Sequence, residues 1–153
     1  MRIIKTAPER TGWRDEKISR RHREWGVDCC ATDLDFLLLE YSSCEGGEVK
    51  LSALIEYKHQ NAKVQNSGAP QYKALRLLCN PANLPLFAVR YADDFSSFTV
   101  VPLNRHALKY LAEISTLRET EYVTLLYQLR GHKEMPKKIL ELILADKSEA
   151  HHA

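Results

Sequence analysis

Two apolar runs, DLDFLLLEY (33–41) and KLSALIEYK (50–58), flank Ser42-Ser43-Cys44-Glu45-Gly46-Gly47 and carry Asp33, Asp35, Glu56 and Lys58. Strand-like runs around a Gly-rich turn predict a hairpin. Ionised groups in apolar strands are costly unless paired, hydrogen-bonded or bound to metal, so acids gathered around one Lys read as a candidate cation site. Successive strand residues face opposite sides, so Asp33 and Asp35 share one face of the first strand, and Glu56 and Lys58 share one face of the next. Register decides whether those faces coincide. A turn centred between Glu45 and Gly46 pairs residues whose numbers sum to 91, setting Asp35 opposite Glu56 and Asp33 opposite Lys58. Opposed carboxylates repel, and a divalent ion with hard oxygen ligands relieves that repulsion. A two-residue Gly46-Gly47 turn gives a sum of 93 and a plain Asp35–Lys58 ion pair instead. An even sum splits the charges between faces.

The rest of the chain reads as one α/β domain. An extended arm is expected over residues 1–12, then a helix from Arg14 to Trp25 with Ile18, His22 and Trp25 on one side, Arg20 and Arg23 opposite, and Gly26 as its stop. A short strand over Val27–Cys30 would make the hairpin a three-stranded meander. Pro70 opens a helix whose apolar side is Tyr72, Leu75, Leu78 and Cys79. Strands follow at 86–91 and 95–102 around an Asp93-Asp94 turn, and Asn104 caps a helix over 105–114. Two amphipathic helices finish the domain, near 118–130 (Tyr122, Leu125, Leu126, Leu129) and 136–146 (Ile139, Leu140, Ile143, Leu144). The bounds expected are 14–103 for a core, 104–147 for C-terminal helices and 148–153 for a tail.

A chain of 153 residues with 44% hydrophobic content is long enough for a real core, and 27% charged residues argue against wholesale disorder. No apolar run nears the roughly 20 residues that span a bilayer. Met1-Arg2-Ile3-Ile4-Lys5 is charged too soon for a signal peptide, so a cytoplasmic protein with no membrane partner is expected. Cysteines at 29, 30, 44 and 79 form no C-x-x-C pair and lack His partners at zinc spacing, which predicts buried or unreactive thiols. Residues 1–25 hold eight Lys/Arg against four Asp/Glu; the chain totals of 22 and 20 leave 14 against 16 beyond them. The basic excess therefore sits on the N-terminal arm and helix, a face that suits a phosphate backbone or simply solvates the helix.

An Asp, an apolar strand, then an apolar strand ending Glu56-Tyr57-Lys58 resembles the PD-(D/E)xK nuclease superfamily, and within it the small Holliday-junction resolvases and phage or bacterial repair and restriction nucleases. The element order from 14 to 91 is similar to that superfamily's α-β-β-β-α-β core, implying a restriction-endonuclease-like mixed sheet with an added C-terminal hairpin strand and helices. The resemblance implies a Mg²⁺- or Mn²⁺-dependent deoxyribonuclease for DNA repair or recombination, with Asp35 and Glu56 holding the ion and Lys58 positioning or activating water. Asp33 is the other candidate aspartate, because Thr32 and Leu34 stand where the family has Pro, and Glu24 matches an additional helical acid of the resolvase-like members. Glu48-Val49-Lys50 also fits Glu-x-Lys but lies in polar surroundings, so Glu56-x-Lys58 is preferred. Gln71 resembles a glutamine that some members place near the site.

Arg20, Arg21 and Arg23 are candidate DNA-phosphate contacts. His59 and Gln60 are weaker candidates, and His59 should point away from the Glu56 face. Tyr122, Tyr127 and the leucine stripe are expected in the core or a homodimer face formed by the C-terminal helices. His151 and His152 belong to the tail and take no metal role. The alternative to an enzyme is a non-catalytic nucleic-acid-binding or protein-interaction domain that keeps the charged hairpin for structure.

Overall fold

The computed structural model describes residues 15–25, 28, 30–41, 47–63 and 66–150. The expected arm, Gly26, Val27, Cys29, the turn at 42–46 and residues 151–153 lie outside them. The described chain is α/β, with α1 (Glu16–Glu24), β1 (Phe36–Tyr41), β2 (Val49–His59), α2 (Pro70–Cys79), β3 (Leu86–Tyr91), β4 (Phe98–Pro102), α3 (Arg105–Leu108), β5 (Ser115–Leu117), α4 (Glu119–Leu129) and α5 (Lys137–Ala150).

The strands form one open sheet in sequence order, with β2 and β3 parallel and the other neighbours antiparallel. A parallel pair needs a crossover, which α2 supplies. Pro at the first helical turn starts α2, and its i, i+3, i+7 residues Tyr72, Leu75 and Cys79 are buried against Leu54, Leu84, Leu86 and Leu103. Burial pushes the Cys79 thiol up to about 11, so it is inert packing. The opposite sheet face carries Ala53, Ile55, Phe87, Val89, Phe98 and Val100 under Tyr122, Leu125 and Leu129 of α4. Each face buries a separate apolar cluster.

Several expectations are corrected. Asp28 lies in a turn and Cys30, which is exposed, in no strand, so the meander's first strand does not form at either residue; one valine beside an Asp and two Cys is weak strand material. Asp15 caps α1 by accepting from the Ile18 N–H at 3.1 Å, yet α1 buries no residue: Ile18 is 48% and Trp25 56% exposed. Leu78, assigned to the buried side of α2, is also exposed, because the i+3/i+4 stripe runs through Leu75 and Cys79.

The helix expected over 105–114 stops at Leu108, and Ser115–Leu117 instead adds β5, whose Thr116 hydroxyl meets that of Thr99 at 3.1 Å. Asn104 does cap α3, and the same buried amide accepts from Leu86 N–H and donates to the Leu84 carbonyl. Glu121 reaches back to the Arg118 N–H at 2.8 Å to start α4, and Gly131, at φ 91°, follows its end. α5 continues to Ala150, so residues 148–150 are helical rather than tail.

Candidate functional site

The hairpin ladder holds the first surprise. Near the turn, Tyr41↔Val49, Glu40↔Lys50 and Leu39↔Leu51 sum to 90, the even register expected to separate the charges. Between Leu38 and Leu39 the register shifts by one, leaving Ser52 as the extra residue, and Leu38↔Ala53, Leu37↔Leu54 and Phe36↔Ile55 sum to 91. A bulge flips the facing of everything beyond it. The far end of the hairpin therefore reaches the register that sets Asp35 against Glu56. Ser52 is buried, and its hydroxyl has no hydrogen-bond partner among the described residues.

Asp35 stands just before β1 and continues the ladder with its side chain. Its Oδ2 accepts from Tyr57 N–H at 3.0 Å, while its own N–H donates to Glu56 Oε1 at 3.3 Å. Glu56 is completely buried on the α2 side of β2, next to Ala88 of β3, whose methyl side chain leaves room for it. From the second residue of α2, Gln71 Nε2 donates to Glu56 Oε2 at 3.2 Å. Burial holds the Glu56 carboxyl above its usual range, the nearby Asp35 charge adds to the shift, and Lys58 opposes it. Burial and the Glu56 charge likewise raise the Tyr72 hydroxyl, which sits under the same helix. Lys58, two residues on from Glu56 and half-buried, shares its face.

Asp35, Glu56, Lys58 and Gln71 are thus brought together. Asp33 is exposed and precedes β1, so its expected pairing opposite Lys58 is not part of the ladder, which ends at Phe36. Glu24 is on the exposed α1, bound to Arg21 at 2.9 Å, and among the described residues no third His, Cys, Asp or Glu joins a metal-holding group. Arg20, Arg21 and Arg23 are exposed on α1. His59 points to the opposite face as expected: its Nε2 bonds Asp93, and its Nδ1 accepts from Asn61 N–H at 3.1 Å. Gln60 contributes backbone only, donating its N–H to Tyr91 O. Tyr122 is core, its hydroxyl 2.5 Å from that of Tyr57, and Tyr127 lies half-buried under Arg130.

The sequence reading missed Arg90. It aligns with Lys58 across the parallel β2–β3 pair, and its Nη1 donates to the carbonyls of Gln60 and Ala62, each at 3.1 Å. The signal was present, since an arginine inside Leu86-Phe87-Ala88-Val89-Arg90-Tyr91 is as anomalous as the Lys that ends the preceding strand.

Two adjacent carboxylates suit a small hard cation. Mg²⁺ is commonly held by one or two carboxylates with water completing its shell, and a buried glutamate whose ionisation is disfavoured gains most from a nearby positive charge. Among the described residues no helix is long and apolar enough to cross a membrane. No protein-family model, curated protein or solved structure matches this chain.

Proposed function

We propose that this chain is a Mg²⁺- or Mn²⁺-dependent deoxyribonuclease of PD-(D/E)xK type, acting in the cytoplasm on phosphodiester bonds of DNA. The observation that carries the reading is the convergence of Asp35 and Glu56 across the bulged hairpin, with Lys58 on the same face. The order hairpin, crossover helix, parallel strand supports it. Asp35 and Glu56 would hold the ion, which when bound polarises the phosphoryl group and acidifies water. Gln71 fixes the orientation of Glu56 through Oε2 and leaves the ionised form with a donor. Lys58 supplies a compact positive charge where the phosphate gathers negative charge in the transition state. The basic α1 residues Arg20, Arg21 and Arg23 are proposed phosphate contacts on charge alone. A homodimer through the C-terminal helices belongs to the same proposal, supported by the exposure of Leu140, Leu142 and Leu144 on α5.

One observation favours the rival, a non-catalytic domain: both carboxylates already accept N–H groups from the protein. The test is incubation of the purified chain with plasmid and linear DNA in Mg²⁺, Mn²⁺ or EDTA. Cleavage that needs the divalent ion supports the nuclease, and intact DNA in all three conditions supports the rival.

A further inference from the structure

Lys58 and Arg90 stand side by side in the parallel register, strands about 4.8 Å apart, and Thr99 of β4 continues the same row. Like charges so placed repel unless an anion lies between them. Among the described residues neither forms an ion pair with a carboxylate. Instead they line a cavity of about 110 Å³, with Ser67, Tyr72 and Thr99 on its polar side and Ala88, Val101 and Leu103 on its apolar side. At roughly 30 Å³ per water, that is room for three or four waters, the scale of a small oxyanion.

Arg90 is already oriented for one. The Gln60 and Ala62 carbonyls take both of its Nη1 bonds, and because a guanidinium is planar, fixing one end aims the other. Its Nε and Nη2 groups make no hydrogen bond to the described residues. Neutral carbonyls orient the charge without cancelling it.

We infer that this cavity binds a DNA backbone phosphate neighbouring the one that is cleaved, with Arg90 as its principal ligand, so that the bound strand runs across the sheet from Asp35 toward Thr99. The inference rests on the nuclease reading for its choice of ligand. Arg90 is a substrate-binding residue here, and its carbonyl bonds to the β2–α2 loop are what hold it ready.

The test measures binding of a fluorescent DNA duplex to Glu56→Gln protein, and to the same protein carrying Arg90→Gln or Arg90→Lys, across a salt series. Arg90→Gln should flatten the dependence of log affinity on log salt by about one unit, and Arg90→Lys should keep the slope because it keeps the charge. An unchanged slope in Arg90→Gln overturns the inference and leaves Arg90 as a loop pin. If Arg90→Gln fails to fold, inorganic phosphate is titrated into wild-type protein and the Arg90 Nε–H resonance followed by NMR; movement supports the cavity, and an unmoved signal overturns it. Cleavage is scored separately: a wild type that never cuts DNA but shows the Arg90-dependent slope removes the nuclease and keeps the phosphate site, whereas an active enzyme with an Arg90-independent slope does the opposite.

Discussion

Glu40 and Glu56 are both glutamates of the β1–β2 hairpin, and their surroundings drive them in opposite directions. On the α4 side, burial works against the Glu40 charge, but Arg130 Nε at 2.6 Å and His132 Nε2 at 3.2 Å overcome it and hold the carboxyl below its usual range. On the α2 side, burial and Asp35 push Glu56 up, and Lys58 does not compensate. One face of the sheet closes its charges internally; the other keeps a carboxylate that costs free energy to ionise. A charge in an apolar strand is therefore not by itself a site. The mark of a candidate site is a charge that the fold leaves without a matching countercharge.

The largest effect expected from this asymmetry is functional. Asp35→Ala, Glu56→Ala and Lys58→Ala should each lower DNA cleavage by about 10²–10⁴-fold, the usual range for losing a positioned catalytic group, with circular dichroism unchanged. Leu125→Ala, under the other face, should cost about 2–5 kcal/mol of stability in a denaturant titration while the folded fraction keeps its activity. Full activity in Glu56→Ala would break the comparison at once.

Next comes the sign of two conservative changes. Glu40, with its lowered pKa, stabilises the fold above its unfolded value and loses that contribution as pH falls through the folded one. Glu40→Gln should lower the melting temperature at pH 7 by a few degrees, for a pair worth about 1 kcal/mol, and the deficit should close in acid. Glu56 has a raised pKa, so its ionisation penalises the metal-free fold above the folded value, and the penalty disappears below the unfolded one. Glu56→Gln should raise the metal-free melting temperature at pH 8 and lose that advantage as the pH is lowered toward 4. The same sign for both variants would show that the two faces do not differ.

Much of this was legible before the structure. Pro70 with Tyr72, Leu75 and Cys79 marked the crossover helix, and the strand at 86–91 followed from its apolar run. A uniform register set by the turn puts Asp35 opposite Glu56, whereas the ladder starts even, shifts at Ser52 and ends at Phe36↔Ile55, so the two acids meet one step beyond it through side-chain hydrogen bonds. Bulges depend on cross-strand packing, and Ser52 carries no local signature. β5 was hidden because three residues are too few for a pattern, and the alignment of Ile18, His22 and Trp25 on one side of α1 does not bury that side, because the other residues of the helix are too polar. Arg90 was overlooked because its significance lies in the parallel pairing with Lys58, a contact between residues 32 apart in sequence.

The smallest effect concerns that bulge. Ser52→Ala removes a buried hydroxyl without a partner among the described residues, and should leave stability unchanged or raise it by about 1 kcal/mol, with cleavage intact. Deleting Ser52 removes the bulge while Leu38 still meets Ala53, so Asp35 stays against Glu56 and cleavage should persist in an activity assay; loss of cleavage would show that the local twist of the bulge, and not the pairing alone, aims the carboxylates.

The central claim is that Asp35 and Glu56 form an incomplete pair which a divalent cation completes. Anomalous diffraction from crystals soaked in Mn²⁺ tests it most directly. The account predicts a peak between the two carboxylates in wild type that weakens or vanishes in Glu56→Gln. Well-ordered crystals of wild type with no anomalous peak there, after soaking in millimolar Mn²⁺, would contradict it.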